Sequence, residues 1–277
     1  MAGNFWESSH FKEWLLDKQE IEVWRQKDVS YFSSSEDYQK LMIFFANFIQ
    51  TLGGEQLKLR QQVISTAIIY FRRFYSRHSL GDVDPFLLGP TCLYLASKVE
   101  ECGVVQPGTL YIRCKSLIRQ KYQSIYNQDY SYKAQLIMEC EFLLLEMLDC
   151  CLIVYHPYRP LTQYVTDLGQ EDILLPTAWK IVNDTYRSDI CMLYPPYLIA
   201  LVAIHMAAVV HKKDVKAWFA ELSIDMNKII EITNLILDLY KMWKSYDEAK
   251  DVPELLAKMP KPTKCGSPGE PTPSPNK

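Results

Sequence analysis

The stretch Pro85-Phe-Leu-Leu-Gly-Pro-Thr-Cys-Leu-Tyr-Leu-Ala-Ser-Lys98-Val-Glu-Glu101 constrains the fold more than any other. Read at 3.6 residues per turn, Leu87, Leu88, Thr91, Cys92, Leu95 and Ala96 fall at helical spacing, while Leu93 and Tyr94 fill the opposite side. A helix apolar all round has to be covered by neighbours, so it belongs in the middle of a helical bundle. Its last turn breaks the pattern. Lys98, Glu100 and Glu101 arrive together just before Cys102-Gly103, a helix stop. A buried helix that delivers charge to the surface only at its tip marks a candidate binding site.

The second half of the chain repeats the first. Setting Thr66-Ala-Ile-Ile-Tyr-Phe-Arg-Arg-Phe-Tyr75 over Thr177-Ala-Trp-Lys-Ile-Val-Asn-Asp-Thr-Tyr186 aligns Thr, Ala and the final Tyr at one constant offset. The same offset carries Pro85 onto Pro196, Leu88 onto Ile199, Ala96 onto Ala207 and Val99 onto Val210. Two helical repeats of about five helices each follow. The charged tip is not repeated: Val209 stands for Lys98 and His211 for Glu100.

In chain order, residues 7–27 read as one amphipathic helix with Phe11, Trp14, Leu15, Ile21 and Trp24 on its apolar side, capped by Ser8-Ser9. A helix through Leu41–Ile49 is expected to stop at Gly53-Gly54, and the next to start near Leu57. Helices around Leu110–Tyr122 and Tyr132–Leu148 complete the first repeat. A proline-bearing linker, His156-Pro-Tyr-Arg-Pro160, leads to the second, whose closing helix spans Ile224–Trp243. The expected division is an N-terminal helix and connector over 1–36, a first repeat over 37–152, a second over 153–248, and a C-terminal segment over 249–277. That segment ends in a proline-rich stretch that reads as disordered, where Ser267, Thr272 and Ser274 each precede proline and are candidate phosphorylation sites.

Composition excludes more than it selects. The 277 residues are 48% hydrophobic and 23% charged with a net charge of −3, so no electrostatic case exists for nucleic acid or an anionic membrane surface. No apolar run is long enough to span a bilayer, and the N-terminus lacks the layout of a signal peptide. None of the eight cysteines forms a C-x-x-C pair, which argues against a metal site. G-x-S-x-G, H-E-x-x-H, Walker and dinucleotide glycine motifs are absent. No cofactor or catalytic residue is expected; function belongs on a surface.

Leu95-Ala-Ser-Lys98-Val-Glu-Glu101 resembles the cyclin-box signature L-A-x-K-x-E-E, and its surroundings extend the match. Leu59-Arg60-Gln-Gln-Val-Ile is similar to the M-R-x-x-L start of the preceding box helix, Tyr70-Phe-Arg-Arg-Phe74 to Y-x-D-R-F, and Met138-Glu-Cys-Glu141-Phe-Leu-Leu-Leu-Glu-Met-Leu to the last box helix. Asn4-Phe-Trp-Glu-Ser-Ser-His10, Cys150–Pro160 and Lys258-Met-Pro-Lys-Pro262 look like the Mediator kinase-module branch of the family. The resemblance implies an all-α fold of two tandem five-helix cyclin-box repeats preceded by an N-terminal helix.

It also implies a nuclear regulatory subunit, not an enzyme. Such a subunit binds the cyclin-dependent kinase of the Mediator kinase module and activates it by positioning its αC helix, in RNA polymerase II transcription. Lys98 and Glu141 would hydrogen-bond the kinase backbone, with Glu139 as the alternative register for the acid and Glu100, Glu101 and Leu95 beside them. Without the resemblance, an internal Lys98–Glu141 ion pair is the plainer reading. Other subunits of the module are expected on the second repeat. Trp179, Asn183 and Asp184 form a candidate groove for such a partner, against core packing of Trp179 as the alternative.

Two residues depart from the family pattern. Arg72 stands where many cyclins place the aspartate that pairs with the box arginine, so Arg60 needs another partner, a backbone carbonyl or Glu55. Thr66 replaces the tryptophan of the substrate-docking patch, so docking of R-x-L motifs is not expected. Other readings of the same plan are a general transcription factor core that binds DNA and a promoter-bound protein, and a structural adaptor that does not activate a kinase.

Overall fold

Two bundles, each built round one buried helix, form the body of a computed structural model that describes residues 3–126, 129–222 and 224–262. The candidate phosphorylation sites Ser267, Thr272 and Ser274 lie outside the described residues. A short 3-10 turn, Phe5–Glu7, precedes α1 (Ser9–Glu13) and α2 (Lys18–Val29). The first repeat holds α3 (Ser35–Thr51), α4 (Gln61–Arg77), α5 (Pro85–Val99), α6 (Pro107–Lys121) and α7 (Ala134–Met147). The second holds α8 (Tyr158–Asp167), α9 (Glu171–Thr185), the one-turn α10 (Ile190–Leu193), α11 (Pro196–Val210), α12 (Lys216–Glu221) and α13 (Met226–Ser245). A last helix, α14 (Glu248–Lys258), returns to pack on α3. No strand occurs among the described residues.

α5 is the centre the sequence implies: every residue from Pro85 to Ser97 is buried. α3, α4, α6 and α7 pack around it. Asp84 caps it by accepting from the Phe86 N–H at 2.8 Å, and Pro85 occupies the first turn where a missing N–H costs nothing. Pro90 lies inside the helix and cannot donate to the Phe86 carbonyl. That carbonyl instead accepts a long hydrogen bond, 3.4 Å, from the Tyr130 hydroxyl. α11 plays the same part in the second repeat among α8, α9 and α13.

The repeat extends to the backbone. The offset that carries Pro85 onto Pro196 also carries Glu101 onto Lys212, and both residues close their helices with positive φ, 52° and 53°. The capping bonds match as well: Glu100 N–H to Ala96 O and His211 N–H to Ala207 O, each 3.0 Å.

Two expectations fail locally. The N-terminal segment is not one helix, because it breaks between Glu13 and Lys18. Trp14 turns inward there and is fully buried, with the Arg77 and Arg73 guanidinium carbons 4.1 and 4.9 Å from its ring centroid. Leu16 donates its N–H to Met192 O at 2.8 Å, and Asp17 with Glu20 starts α2 afresh as a capping box. Trp24, grouped with Trp14 by periodicity, is 57% exposed. The second failure is at Gly53-Gly54, where the chain does not stop. It widens into a π turn, Leu52–Gln56, and α4 begins only at Gln61. A β-carbon on Gly53 would sit 2.8 Å from Ile64 Cγ1, so glycine is there for close approach to α4.

Candidate functional site

Helix ends place the site. α5 reaches the surface only in its last turn, where Lys98 emerges beside α7. Its ammonium donates to Glu141 Oε2 at 2.8 Å and lies 4.0 Å from the Tyr94 ring centroid. The pair is asymmetric: the Lys98 side chain keeps 35% of its surface and Glu141 only 9%. Burial disfavours the ammonium, but the hydrogen bonds and charges of Glu141 and Tyr94 outweigh it and raise the Lys98 pKa. A preformed donor–acceptor pair with further ammonium donors and a second carboxylate oxygen is suited to a main-chain segment, which offers both carbonyls and N–H groups.

The neighbouring candidates divide. Glu101 is exposed, held outward by its left-handed backbone. Glu100 turns inward, accepting from Thr66 Oγ1 at 2.5 Å and Gln62 Nε2 at 2.6 Å. Leu95 is 3% exposed and belongs to the core. Glu139 lies exposed along α7 and accepts from Gln135 at 2.9 Å, so the buried Glu141 is the acid that meets Lys98. Phe142, next to Glu141, is 72% exposed, and Val104, just past the α5 tip, is 54% exposed. Sequence reasoning passed over both. The signal for Phe142 was its place between the inward-facing Glu141 and Leu144 of α7.

Behind the tip runs a polar chain that was not foreseen. Glu100 accepts from Thr66, whose oxygen lies 2.7 Å from His156 Nε2, and His156 Nδ1 lies 2.7 Å from the Tyr186 hydroxyl. With the Thr66 proton given to a carboxylate, which only accepts, His156 Nε2–H donates to Thr66 and Tyr186 O–H donates to Nδ1. Burial, then the Arg73 charge, pulls the His156 pKa down to about 3 and keeps the ring neutral. The chain joins the tip of the first repeat to the linker and the second repeat. Thr66, at the position of the family's docking tryptophan, is fully buried and committed to this chain of hydrogen bonds.

A second polar cluster locks the repeats together. Asp189 accepts from Arg25 through both oxygens, at 2.5 and 2.7 Å, and from Arg72 at 3.0 Å; Arg72 Nε also donates to Tyr186 O at 2.8 Å. The two guanidiniums hold the Asp189 carboxyl well below the usual range even though burial pushes it up. Arg72, which departs from the family pattern, therefore pairs with the second repeat. Arg60 is exposed and has no buried charge to neutralise, contrary to the need for a partner inferred from sequence.

Of the second-groove candidates, Trp179 is half-buried and stacks on Tyr158, with centroids 4.5 Å apart. The Tyr158 hydroxyl donates to Asn183 Oδ1 at 2.8 Å. Asp184 accepts from Tyr240 at 3.0 Å and pairs with Arg187 at 3.2 Å, and burial raises its pKa. Tyr158 thus brings Trp179 and Asn183 together, while Asp184 bonds to Tyr240 and Arg187 instead. No cluster of three or more metal-ligating side chains occurs among the described residues, and no helix there is long and apolar enough to cross a membrane.

Comparisons with known proteins agree with this architecture. Residues 14–153 match the cyclin N-terminal domain and residues 156–244 the cyclin C-terminal domain. The chain is 58% identical to Cyclin-C of Rattus norvegicus over 262 residues, covering 95% of this chain and 92% of the relative. It is 55% identical to Cyclin-C of Drosophila melanogaster, covering 95% and 98%, and 44% identical to Cyclin-C1-1 of Oryza sativa, covering 92% and 95%. Solved structures share the fold at low identity. They include a chain of the Chaetomium thermophilum CAK complex bound to ATP-gamma-S (TM-score 0.69, 14% identical, covering 92% and 87%). Another is a chain of the yeast RNA Pol II CTD kinase CTDK-1 complex (TM-score 0.65, 18% identical, covering 94% and 86%). With two cyclin domains in tandem and such relatives along nearly its whole length, the chain belongs to the cyclin family.

Proposed function

We propose that this chain activates a cyclin-dependent kinase of the Mediator kinase module by holding the kinase αC helix in its active position, and so regulates RNA polymerase II transcription in the nucleus. As a cyclin it is a regulatory subunit and supplies no catalytic group. The observation that carries the reading is the Lys98–Glu141 pair at the tip of the central helix, present in the first repeat and replaced by Val209 in the second. Lys98 donates to carbonyls and Glu141 accepts from N–H groups of the kinase segment that leads into αC. Phe142 and Val104 supply exposed apolar area nearby. Each charge-assisted hydrogen bond contributes roughly 1.5–3 kcal/mol. With αC held in, its glutamate pairs with the lysine that grips the ATP phosphates, and the cyclin selects the active conformation. The half-buried Trp179 with Asn183 is the surface we assign to a further subunit of the module.

The swap Lys98→Glu/Glu141→Lys tests the pair itself. It preserves an internal ion pair, so the protein stays folded, but it reverses every donor and acceptor offered to the kinase. Losing two such bonds weakens kinase binding by about two to four orders of magnitude. Wild-type affinity and kinase activation in the swap would refute the assignment.

A further inference from the structure

The end of α11 is the second repeat's copy of the kinase-facing tip, and it carries the opposite chemistry. The shared offset places Val209, His211 and Lys212 where the first repeat has Lys98, Glu100 and Glu101. The caps coincide, down to the left-handed residue and to a threonine bond on the tip: Thr177 Oγ1 lies 2.7 Å from His211 Nε2, as Thr66 bonds Glu100. The geometry is kept while an acidic tip with one lysine becomes an apolar and basic one.

What that tip exposes is a groove of about 380 Å3 between the end of α11, the short α12 and the start of α13. Its floor is His205, Val215 and Phe219, and its walls are Val209, Ile224 and Met226. Val209 and its neighbour Val210 are 65% and 66% exposed, Met226 is 42% and Ile230, one turn further along α13, is 55%. Apolar side chains are rarely left out in such a group without a partner. Exposed lysines edge the groove: Lys213 and Lys216 line it and Lys212 adjoins it. Two acids adjoin it and both are committed to helix starts: Asp214 accepts from the Lys216 N–H at 3.0 Å and Asp225 from the Asn227 N–H at 2.9 Å.

The geometry points to a docking site for an amphipathic helix of another protein, whose apolar stripe fills the groove and whose flanking Asp and Glu residues meet Lys212, Lys213 and Lys216. It is independent of the kinase contact of the first repeat. A second copy of this chain fits poorly, because each copy would bring the same lysines against the other's.

The probe is a fluorescent synthetic helix of about four turns, with leucine on one stripe and glutamate on both flanks, titrated into the full-length chain. We expect saturable binding in the micromolar range. Val209→Glu with Met226→Glu weakens it at least about tenfold, and Lys213→Glu with Lys216→Glu does the same while flattening its salt dependence. Lys98→Glu leaves it unchanged, which separates this site from the first-repeat tip. The groove positions are all exposed, and an unchanged melting temperature verifies the fold of those four substitutions. Absence of saturable binding, equal binding of a peptide with lysine in place of glutamate, or a wild-type dimer that Val209→Glu converts to monomer would each overturn the proposal.

Discussion

Replacing Asp189 with asparagine should unlock the two repeats. Asp189 keeps 15% of its side-chain surface and serves two arginines that keep 6% and 1%. It accepts three short bonds from them, at 2.5, 2.7 and 3.0 Å, and a long one from Gln39 at 3.4 Å. Asparagine has nearly the same shape but one acceptor oxygen, and its amide nitrogen would face a guanidinium donor to donor. At least one arginine is then left charged, buried and unpaired, which costs about 3–5 kcal/mol. For a chain of this size that corresponds to a fall in melting temperature of roughly 6–20 °C.

The assay is thermal unfolding monitored by circular dichroism, with a pH series. The Asp189 pKa is depressed on folding, so its stabilisation is present above the unfolded carboxylate pKa and is lost as pH falls through the folded value. The Asp189→Asn change would therefore remove part of the acid limb below about pH 4. A triple change, Arg25→Met, Arg72→Met and Asp189→Leu, takes out the charges together and should recover most of the loss, because no ion is left unpaired. A loss below about 1 kcal/mol for the single change would mean that water reaches the cluster, and the reasoning would fail.

Other expectations follow from the same geometry. Burial, with the Arg73 charge, holds His10 and His156 neutral, with pKa values pulled down to about 2 and about 3. Both lie below the unfolded value near 6.5, so stability is full above that pH and falls below it. The slope is roughly 1.4 kcal/mol per pH unit for each histidine, and melting temperatures between about pH 7.5 and 5 measure it. Trp14→Ala should cost about 3–5 kcal/mol in denaturant unfolding, whereas Trp24→Ala, on an exposed position, stays within about 0.5. Thr66→Val leaves both Glu100 and His156 short of a partner and should destabilise by about 1–3 kcal/mol, read by the same unfolding curves.

Features with local periodicity were legible in the sequence. An all-round apolar α5 requires covering helices, and a repeated proline followed by the same apolar pattern requires a second such helix. Both conclusions hold residue for residue, since α5 and α11 begin at the aligned prolines. The structure forms the internal Lys98–Glu141 ion pair that is the plainer reading of those residues without the family resemblance, across 43 positions and two helices; only a kinase-binding role for the pair comes from the resemblance. Features that depend on tertiary contact left no trace. Periodicity cannot tell that Trp14 leaves the helix to sit beneath two arginines while Trp24 stays in solvent. Nor can it tell that Glu100 faces inward, since a carboxylate at a helix end has the same local signal in either rotamer. The Arg72–Asp189 pair spans 117 positions and joins a helix to a turn, so no spacing rule applies to it.

The two tips separate architecture from recognition. α5 and α11 share their starting proline, an apolar helix, capping bonds and a left-handed closing residue, so these features serve packing and carry no partner preference. At the surface they diverge in their last turns, with Lys98, Glu100 and Glu101 in one and Val209, His211 and Lys212 in the other. In the first repeat that turn is also wired to the rest of the molecule, through Glu100, Thr66, His156 and Tyr186, and Tyr186 in turn offers its carbonyl to Arg72. A displacement of the α5 tip therefore strains bonds that reach the Arg25–Asp189–Arg72 cluster. A rigid support of this kind is what positioning demands: a side chain that fixes another protein's helix is only as exact as the groups that fix it. In the second repeat the tip threonine bonds to the exposed His211 at the surface itself, and the side chains around it are apolar and basic. Under the two proposals above, the rigidly supported first tip would fix a partner's conformation and the second would tether one.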